Sequence, residues 1–397
     1  MSVRVIAARR LITADGIIER PRITIDDEGM IASIEPDAAS ADETATIATA
    51  FFDIHVHGAA GADVMDGSRE AIARVGGFLA KHGVGHFLAT TVTAPVDATL
   101  RALAGIADAI EATQREGTDH NSVVRGKPVG IHLEGPFLSH AKRGVHPAAE
   151  VQKPSVELFE RFQQAARGHI KLMTVAPEAE GATELIAHAT AQGVRVSIGH
   201  SDATAAEARA GIRAGAVSAT HTFNAMRRLD HREPGIAGAV LDGRELYAEL
   251  ICDGIHLAPE FVRLWWRAKG PQSNGTARAI LVTDGISATG EPDGDYLLGG
   301  LEVTVVNGRC LLKIDLAAGK ETLAGSVLTM DRAVANLQEF TGATLEAAVH
   351  AASRNPARML GMEALGEVAI GQPASFNVCN AEGKLVQTVL RGREVSC

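Results

Sequence analysis

Aromatic residues are scarce in this chain: Phe, Trp and Tyr together make up 4% of its 397 residues. Proteins that hold single-stranded nucleic acid stack its bases on aromatic side chains, so this scarcity disfavours that class. Positive charge is also sparse, because the formal net charge is -10 and the basic residues form no cluster beyond short pairs such as Arg227-Arg228. We therefore expect no nucleic acid and no membrane as a partner, whereas a small anionic substrate stays compatible with a few local cations.

Cysteine pairs and long apolar runs are missing as well. The four cysteines are scattered without a C-x-x-C pair, which fits a reduced compartment rather than a disulfide framework or a zinc ribbon. The first residues, MSVRVIAARRLITADG, lack the apolar region of a signal peptide, and no stretch approaches the roughly 18 apolar residues of a membrane span. We expect a cytoplasmic protein.

Eight short apolar or β-branched runs, each followed by a helix-like stretch rich in Ala, Leu and Glu, occur between about residue 52 and 290. They are FFDIHVHG (51–58), GHFLATTV (85–92), PVGIHLEG (128–135), IKLMTVAP (170–177), RVSIGHS (195–201), SATHTFNAM (218–226), YAELICDG (247–254) and ARAILVTDG (277–285). Near-continuous apolar strands that alternate with helices imply a parallel sheet covered on both faces. Eight such units predict an α/β fold, a (β/α)8 TIM-like barrel, with its chemistry at the C-terminal ends of the strands.

The two ends of the chain have a different pattern. Residues 1–50 and 365–397 contain short β-like segments broken by Gly, Asp and Asn, and neither end could bury much surface alone. We expect them to pair into one small β-sandwich domain beside a catalytic barrel formed by residues 51–364. The segment 293–323 is predicted to form hairpins inserted after the eighth strand, and helices near 331–341 and 344–353 are predicted to complete the barrel wall.

The first predicted strand carries an H-x-H pair. Alternate residues of a strand share a face, so Asp53, His55 and His57 would point the same way. Taken alone, this pattern also fits ordinary buried histidines with hydrogen-bond partners. The other strand ends favour a metal site, because they add imidazole and carboxylate groups at the same rim of the barrel. The full set is His55, His57, Glu134, His200, His221 and Asp284. Imidazole and carboxylate without thiolate suit Zn²⁺ or another divalent metal.

These motifs also resemble a known family. The segments DIHVHG, HLEGPFL, IGHSDAT, ATHTFNAM and VTDGISATG resemble the amidohydrolase superfamily, and specifically its N-acetylglucosamine-6-phosphate deacetylase branch. The motifs HLEGP, THTFNAM, REPG and DGIH, which follow one another in this order, are together specific to that branch. The similarity runs from the N-terminal β segment to the C-terminal tail. Two positions depart from the pattern: the usual Pro-Gly before the first strand is absent in ATAFFD, and Ser375 stands where an Asp is common.

The resemblance implies a metal site with Glu134, His200 and His221 as ligands. Superfamily members that bridge two metals through a carboxylated lysine carry it at the end of strand four, whereas here that strand ends in TVAPE and Lys171 lies at its start. Glu134 is then the natural carboxylate ligand. A second site at His55 and His57 is chemically available, because some members of the branch keep this pair and others have lost it.

The resemblance also assigns roles in catalysis. Asp284 is placed to take a proton from a metal-activated water and pass it to the leaving nitrogen, although a structural or additional ligand role stays open. His146, in RGVHP, matches the histidine that polarises the acetyl carbonyl; without the resemblance it would be an ordinary loop histidine.

Further residues are implied in substrate binding. They are Val145, His146, Asn224, Ala225, Arg232, Asp253, His256, Leu323, Ala324 and Gly325. Arg232 and His256 suit a phosphate group, and Arg232 resembles an arginine that reaches the substrate from the neighbouring subunit of a homodimer. Asn224 fits an Asx turn at a strand end equally well.

The resulting expectation is a metal-dependent enzyme that hydrolyses the acetamide of N-acetyl-D-glucosamine 6-phosphate, a phosphorylated amino sugar, to the free amine and acetate. The epimer N-acetylgalactosamine 6-phosphate is an open alternative, since the two sugars differ at one hydroxyl. A non-catalytic barrel used as a scaffold is disfavoured, because the metal ligands and the strand-eight Asp are all present.

Overall fold

The computed structural model describes residues 4–36, 42–115, 123–273 and 275–396. Its strands are β1 (Arg4–Thr13), β2 (Gly16–Glu19), β3 (Arg22–Ile25), β4 (Ile31–Glu35), β5 (Asp42–Thr49), β6 (Phe51–Val56), β7 (Gly58–Ala59), β8 (Ala62–Asp63), β9 (Val84–Thr91), β10 (Lys127–Glu134), β11 (Ile170–Val175), β12 (Arg195–Ile198), β13 (Ser218–Ala219), β14 (Tyr247–Ile251), β15 (Ala279–Val282), β16 (Gly294–Leu298), β17 (Leu301–Val306), β18 (Arg309–Leu312), β19 (Phe376–Cys379), β20 (Leu385–Leu390) and β21 (Arg393–Glu394). Its helices are α1 (Arg69–Lys81), α2 (Val96–Arg115), α3 (Val156–Ala165), α4 (Ala182–Ala191), α5 (Ala205–Ala214), α6 (Gly235–Asp242), α7 (Pro259–Lys269), α8 (Lys313–Ala317), α9 (Met330–Thr341), α10 (Leu345–Ala352) and α11 (Arg354–Leu360).

Eight parallel strands form the predicted barrel. They pair in the order β6, β9, β10, β11, β12, β13, β14 and β15, so each strand lies beside its predecessor in the alternating βα pattern. The last gap is closed at the C-terminal edge, where Asp284 N–H donates to the His55 carbonyl and His57 N–H donates to the Gly285 carbonyl, both at 2.8 Å. The (β/α)8 prediction is therefore confirmed, and closure brings the first and eighth strands into direct contact.

Burial on both faces explains why the barrel strands are so apolar. All six residues of β6 are buried, because one face meets the barrel interior and the other meets the surrounding helices. Helix starts are set by local signals in the sequence. Before α5, for example, the Thr204 side chain accepts from Glu207 N–H while the Glu207 carboxylate accepts from Thr204 N–H, which forms a capping box.

The terminal segments form the predicted small β domain. The N-terminal half of β1 pairs with β3, while its C-terminal half pairs with β2 on one side and with β5 on the other. The C-terminal strand β19 then adds to β5, and β20 and β21 follow. This curled sheet encloses its own core, in which Leu11, Ile47 and Phe376 are fully buried. The domain boundaries between residues 50 and 51 and between residues 364 and 365 remain predictions.

Two local predictions need correction. The sixth barrel strand, predicted over 218–226, consists only of Ser218–Ala219, because the backbone turns sharply afterwards with positive φ at His221, Phe223 and Ala225. The segment 293–323 does contain the hairpins β16, β17 and β18, but its last part includes the short helix α8. Within the described ranges, no helix is both long and apolar enough to cross a membrane.

Candidate metal centre

Six of the predicted residues meet at the C-terminal edge of the barrel. They are His55 and His57 at the end of β6, Glu134 at the end of β10, and His200, His221 and Asp284 in the turns after β12, β13 and β15. None of them is more than 7% exposed. Parallel strands end at one edge, so residues far apart in the chain converge there.

Glu134 lies at the centre of a first group with His200 and His221. Its Oε1 is 3.3 Å from His200 Nε2 and 3.2 Å from His221 Nε2, and the two Nε2 atoms are 3.0 Å apart. All three ligand atoms fall within 4.8 Å of one another. This group can hold a metal ion.

The same carboxylate joins a second group. Glu134 Oε1 is 3.3 Å from His55 Nε2, and its Oε2 is 3.3 Å from His57 Nε2. Asp284 Oδ1 completes the contact at 3.5 Å from His55 Nε2 and 3.2 Å from His57 Nε2. Glu134 therefore lies between two adjacent sets of donors, as a shared ligand would.

Hydrogen bonds to the backbone aim the imidazole rings. The Nδ1–H group of His57 donates to the Thr90 carbonyl at 2.9 Å, and that of His200 donates to the Lys142 carbonyl at 2.9 Å. Because a carbonyl can only accept, each neutral ring keeps its lone pair on Nε2. Lone pairs that face each other and a carboxylate repel unless a proton or a cation lies between them. The donor set therefore fits a divalent metal.

Charges in the cluster agree with a site built for a cation. Burial alone would lower the pKa of His57, but its contacts with the Asp284 and Glu134 carboxylates raise that pKa to about 9. Burial alone would raise the pKa of Asp284, but His55 and His57 hold it at about 2. The carboxylates thus favour positive charge at the histidines, and a metal ion would compete with protons for the same positions.

Backbone geometry at three of these residues is unusual. His200, His221 and Asp284 have φ of 46°, 25° and 51°, although none is glycine. Such conformations cost about 1–3 kcal/mol each and persist only where the surrounding structure enforces them. Here they turn the chain sharply at the strand ends, which points the side chains across the barrel mouth.

A cavity of about 420 Å³ opens above the cluster. Among the predicted residues, its wall includes His57, Glu134, Val145, His146, His200, His221, Asn224, Ala225, His256, Asp284, Leu323 and Gly325. His55 lies beneath the wall with 0% exposure. The structure therefore brings most of the predicted metal, catalytic and binding residues to one cavity.

His146 is held as a hydrogen-bond donor toward the cluster. Thr93 N–H donates to its Nδ1 at 3.2 Å, so the ring proton lies on Nε2, which is 3.6 Å from Glu134 Oε2. Burial, followed by the nearby His200, lowers the pKa of His146 well below its usual range. A neutral Nε2–H group thus lies at the cavity wall.

At the cavity wall, His256 is held by a carboxylate. Its Nδ1–H donates to Asp253 Oδ2 at 2.7 Å, and Asp253 raises the pKa of His256 although burial opposes this. Asn224 lines the cavity, and its side-chain amide N–H donates to the His221 carbonyl at 3.1 Å, a bond that runs back to the preceding residues and is not the side-chain-oxygen bond of an Asx turn.

Three predicted binding residues do not line the cavity of this chain. Asp253 reaches it only through His256, and Ala324 is fully buried between Leu323 and Gly325, which do line it. Gly325 has φ of +62°, and a Cβ there would lie 2.9 Å from the Asp284 carbonyl oxygen, so only glycine fits. Arg232 is exposed in the loop after the sixth barrel strand and is not part of the cavity wall.

Sequence reasoning missed three residues around the site. Glu249 contacts His55, the ring of His132 stacks edge-on against His55 with centroids 4.6 Å apart, and Lys142 lines the cavity. Glu249 and His132 are both ionisable residues within buried apolar strands, and this was an available signal. Lys142 carried no comparable signal, because it lies outside the barrel strands, in a short 3-10 helix formed by His140–Lys142.

Comparison with known proteins identifies the family. The sequence model of the amidohydrolase family matches residues 46–395. The chain is 37% identical over 395 residues to the N-acetylgalactosamine-6-phosphate deacetylase of Escherichia coli O157:H7, with 99% of each chain covered. It is also 37% identical over 341 residues to the N-acetylglucosamine-6-phosphate deacetylase of Bacillus subtilis (strain 168), with 86% of this chain and 82% of the relative covered.

A solved structure agrees over the full length. The N-acetyl-D-glucosamine-6-phosphate deacetylase of Mycobacterium smegmatis, a mutant in complex with N-acetyl-D-glucosamine-6-phosphate, superimposes with a TM-score of 0.89 at 31% identity and 100% coverage of both chains. The resemblance predicted from the motifs is confirmed. The chain belongs to the amidohydrolase family, within its group of amino-sugar-phosphate deacetylases.

Proposed function

We propose that this protein hydrolyses the acetamide of N-acetyl-D-glucosamine 6-phosphate, giving D-glucosamine 6-phosphate and acetate. The observation that carries the proposal is the convergence of Glu134, His200 and His221 within 3.3 Å contacts at a cavity that also holds Asp284 and His146. The deacetylases that match the chain along most of its length support the same reaction.

Glu134, His200 and His221 are the residues that would hold the essential metal, and Zn²⁺ suits their nitrogen and oxygen donors. When bound, such an ion supplies Lewis acidity, which activates water as a nucleophile near neutral pH. His55 and His57, with Glu134 shared, offer a second site. The proposal therefore comprises one essential metal ion per chain and a second site that can hold another.

Asp284 acts as the general base and acid. Its carboxylate lies at the cavity wall, and its pKa of about 2 keeps it ionised near neutral pH. It takes up a proton from the attacking water as the C–O bond forms. It then delivers that proton to the amide nitrogen as the C–N bond breaks, which lets the amine leave.

His146 stabilises charge on the acetyl oxygen. Its neutral ring offers Nε2–H toward the cluster, because Thr93 N–H occupies Nδ1. A donor that is already fixed in position stabilises the oxyanion that develops as the carbonyl is attacked.

The phosphate and sugar bind at the other side of the cavity. His256, which Asp253 keeps prone to protonation, suits the phosphate, and Asn224 and Ala225 together with Val145 border the space next to it. The turn Leu323-Ala324-Gly325 presents backbone to the sugar hydroxyls. Arg232 lies outside this wall. We propose that in a homodimer it reaches the phosphate of the substrate bound to the neighbouring subunit.

The epimeric substrate is a second candidate. One of the matched relatives, that of Escherichia coli O157:H7, is an N-acetylgalactosamine-6-phosphate deacetylase. The two sugars differ in one hydroxyl orientation, so the same metal site and the same acetamide chemistry serve both.

Kinetics on purified protein test the proposal. Acetate release is measured with both sugar phosphates and with unphosphorylated N-acetylglucosamine, after chelation and after reloading with Zn²⁺. We expect turnover only after reloading, with kcat/KM highest for the glucosamine derivative. A higher kcat/KM for the galactosamine derivative would select the second candidate. No acetate from either sugar phosphate would reject both and favour a scaffold.

A further inference from the structure

Glu249 is a buried acid to which neither the metal site nor the proposed reaction assigns a role. It lies in the middle of β14, the seventh barrel strand, and is 0% exposed. A buried carboxylate without a compensating partner costs several kcal/mol. Its contacts therefore indicate what keeps it in this position.

Those contacts join the two groups of metal-binding residues. Glu249 Oε2 is 3.1 Å from His55 Nδ1 and 3.3 Å from the backbone N–H of His221. Its other oxygen, Oε1, has no hydrogen-bond partner among the described residues. The hydrogen bonds of this carboxylate that the structure describes therefore go to His55 in one group and to His221 in the other.

The contact with His55 sets which ring nitrogen carries the proton. Glu249 Oε2 already accepts from the His221 N–H, so it acts as an acceptor toward His55 as well. His55 therefore donates from Nδ1, and the lone pair of the neutral ring lies on Nε2. This Nε2 faces Glu134 Oε1 at 3.3 Å and Asp284 Oδ1 at 3.5 Å. The edge-on ring of His132 packs against the same imidazole, so the ring is held on a second side.

The contact with His221 supports a strained turn. His221 is a non-glycine residue with φ of 25°, and its N–H bond to Glu249 Oε2 helps to hold that conformation. A second bond links the same two segments, from Thr222 N–H to the Glu249 carbonyl at 2.8 Å.

We infer that Glu249 is a positioning residue that fixes the tautomer and orientation of His55 for binding a second metal ion. That ion would be held by His55, His57 and Glu134. Through its bond to His221, Glu249 also links this second site to the first. The inference rests on the proposed metal-dependent function. It adds the residue that orients His55 so that the second site can bind a metal ion. Carboxylates behind metal-bound histidines commonly change metal affinity by 10- to 100-fold.

Metal content tests this inference without using activity. Purified native protein, Glu249→Met and Glu249→Gln are dialysed against graded Zn²⁺, and zinc atoms per chain are measured. We expect two ions per native chain and one in Glu249→Met at the zinc concentration that saturates the native protein. Glu249→Gln keeps an acceptor for Nδ1–H, so it should recover the second ion with roughly 10-fold weaker affinity.

A matched control and a spectroscopic readout separate positioning from general damage. Asp53→Asn alters another fully buried carboxylate, which accepts from the His55 backbone N–H and not from the ring, so it should still bind two ions. ¹⁵N-histidine spectra of the zinc-loaded native protein should show His55 with Nδ1–H and a metal-bound Nε2, a pattern that Glu249→Met loses.

Three outcomes would overturn the inference: one ion per native chain at every zinc concentration, two ions with native affinity in Glu249→Met, or equal loss of both ions in all three variants. A native protein that binds two ions but releases no acetate would refute the proposed function and leave this inference standing.

Discussion

The Nδ1 atom of His146 accepts a hydrogen bond from the backbone N–H of Thr93, 3.2 Å away, and this bond places the ring proton on Nε2. The Thr93 hydroxyl lies 2.8 Å from the same nitrogen. A loop histidine thereby becomes a fixed, neutral donor at the wall of the cavity.

Replacing His146 should impair the chemical step. We expect His146→Ala to lower kcat about 100-fold or more with little change in KM, because the donor to the developing oxyanion is lost. Steady-state kinetics measure this. Thr93→Ala is the matched control: it removes the hydroxyl but keeps the backbone donor, so its kcat should stay within a few-fold of native. Equal losses in both variants would contradict the role of the backbone bond.

Removing a ligand of the first metal group should abolish both metal binding and turnover. We expect His200→Ala and His221→Ala to lose tightly bound metal and activity, whereas His55→Ala should be milder if the second ion is dispensable. Metal analysis and acetate release on each variant check this. His188→Ala, at the surface histidine that contacts Glu160, serves as the control and should behave as native. Full metal loading in His221→Ala would refute the assignment.

Asp284→Asn should separate proton transfer from binding. We expect kcat to fall by roughly 100-fold or more with KM nearly unchanged, because shape is kept while the proton acceptor is lost. Metal content is measured in parallel, since Asp284 Oδ1 also lies 3.2 Å from His57 Nε2. A native kcat would remove Asp284 from the mechanism, and loss of metal would make it a ligand instead.

Arg232 should act on the phosphate of the partner's substrate. We expect Arg232→Ala to raise KM for the phosphorylated sugar by at least about tenfold, with less effect on an unphosphorylated analogue. Co-expression with Asp284→Asn provides the sharper test, because a mixed dimer contains one site with both residues intact. Its activity should approach half that of the native dimer. Inactive mixed dimers would show that Arg232 acts within its own chain or not at all.

Lys269 should make stability depend on pH. Its ammonium is buried and donates to the Gly243 and Leu246 carbonyls, and burial lowers its pKa to about 8. Between pH 8 and the ordinary value of 10.5, the unfolded chain binds a proton that the folded chain does not. The free energy of unfolding should therefore rise with pH across this window, by up to about 3 kcal/mol from this group.

Urea unfolding at several pH values checks that dependence. Lys269→Met should flatten the rise above pH 8, whereas Lys384→Met, at an exposed lysine on the C-terminal hairpin, should leave it unchanged. The same slope in both variants would assign the effect to other groups.

Sequence alone was sufficient for the architecture and for predicting that the candidate donor groups lie at one edge of the barrel. The alternation of apolar strands with helices predicts the barrel, and chemistry at the ends of parallel strands collects at one edge. Glu134, His200 and His221 could therefore be grouped before any distance was known. The sixth strand was overestimated, because the left-handed turn at His221 involves residue types that do not signal such a turn.

Pairings across the closed barrel were decided only by the tertiary structure. His55 and Glu249 are 194 residues apart, and their hydrogen bond exists because closure brings two strands of the barrel face to face. The proton position on His146 depends likewise on a backbone group of another strand end, Thr93. Strand periodicity specifies which face a side chain occupies, but hydrogen-bond direction depends on where the opposing strand places its partner. That position is fixed only when the eight strands close on one another.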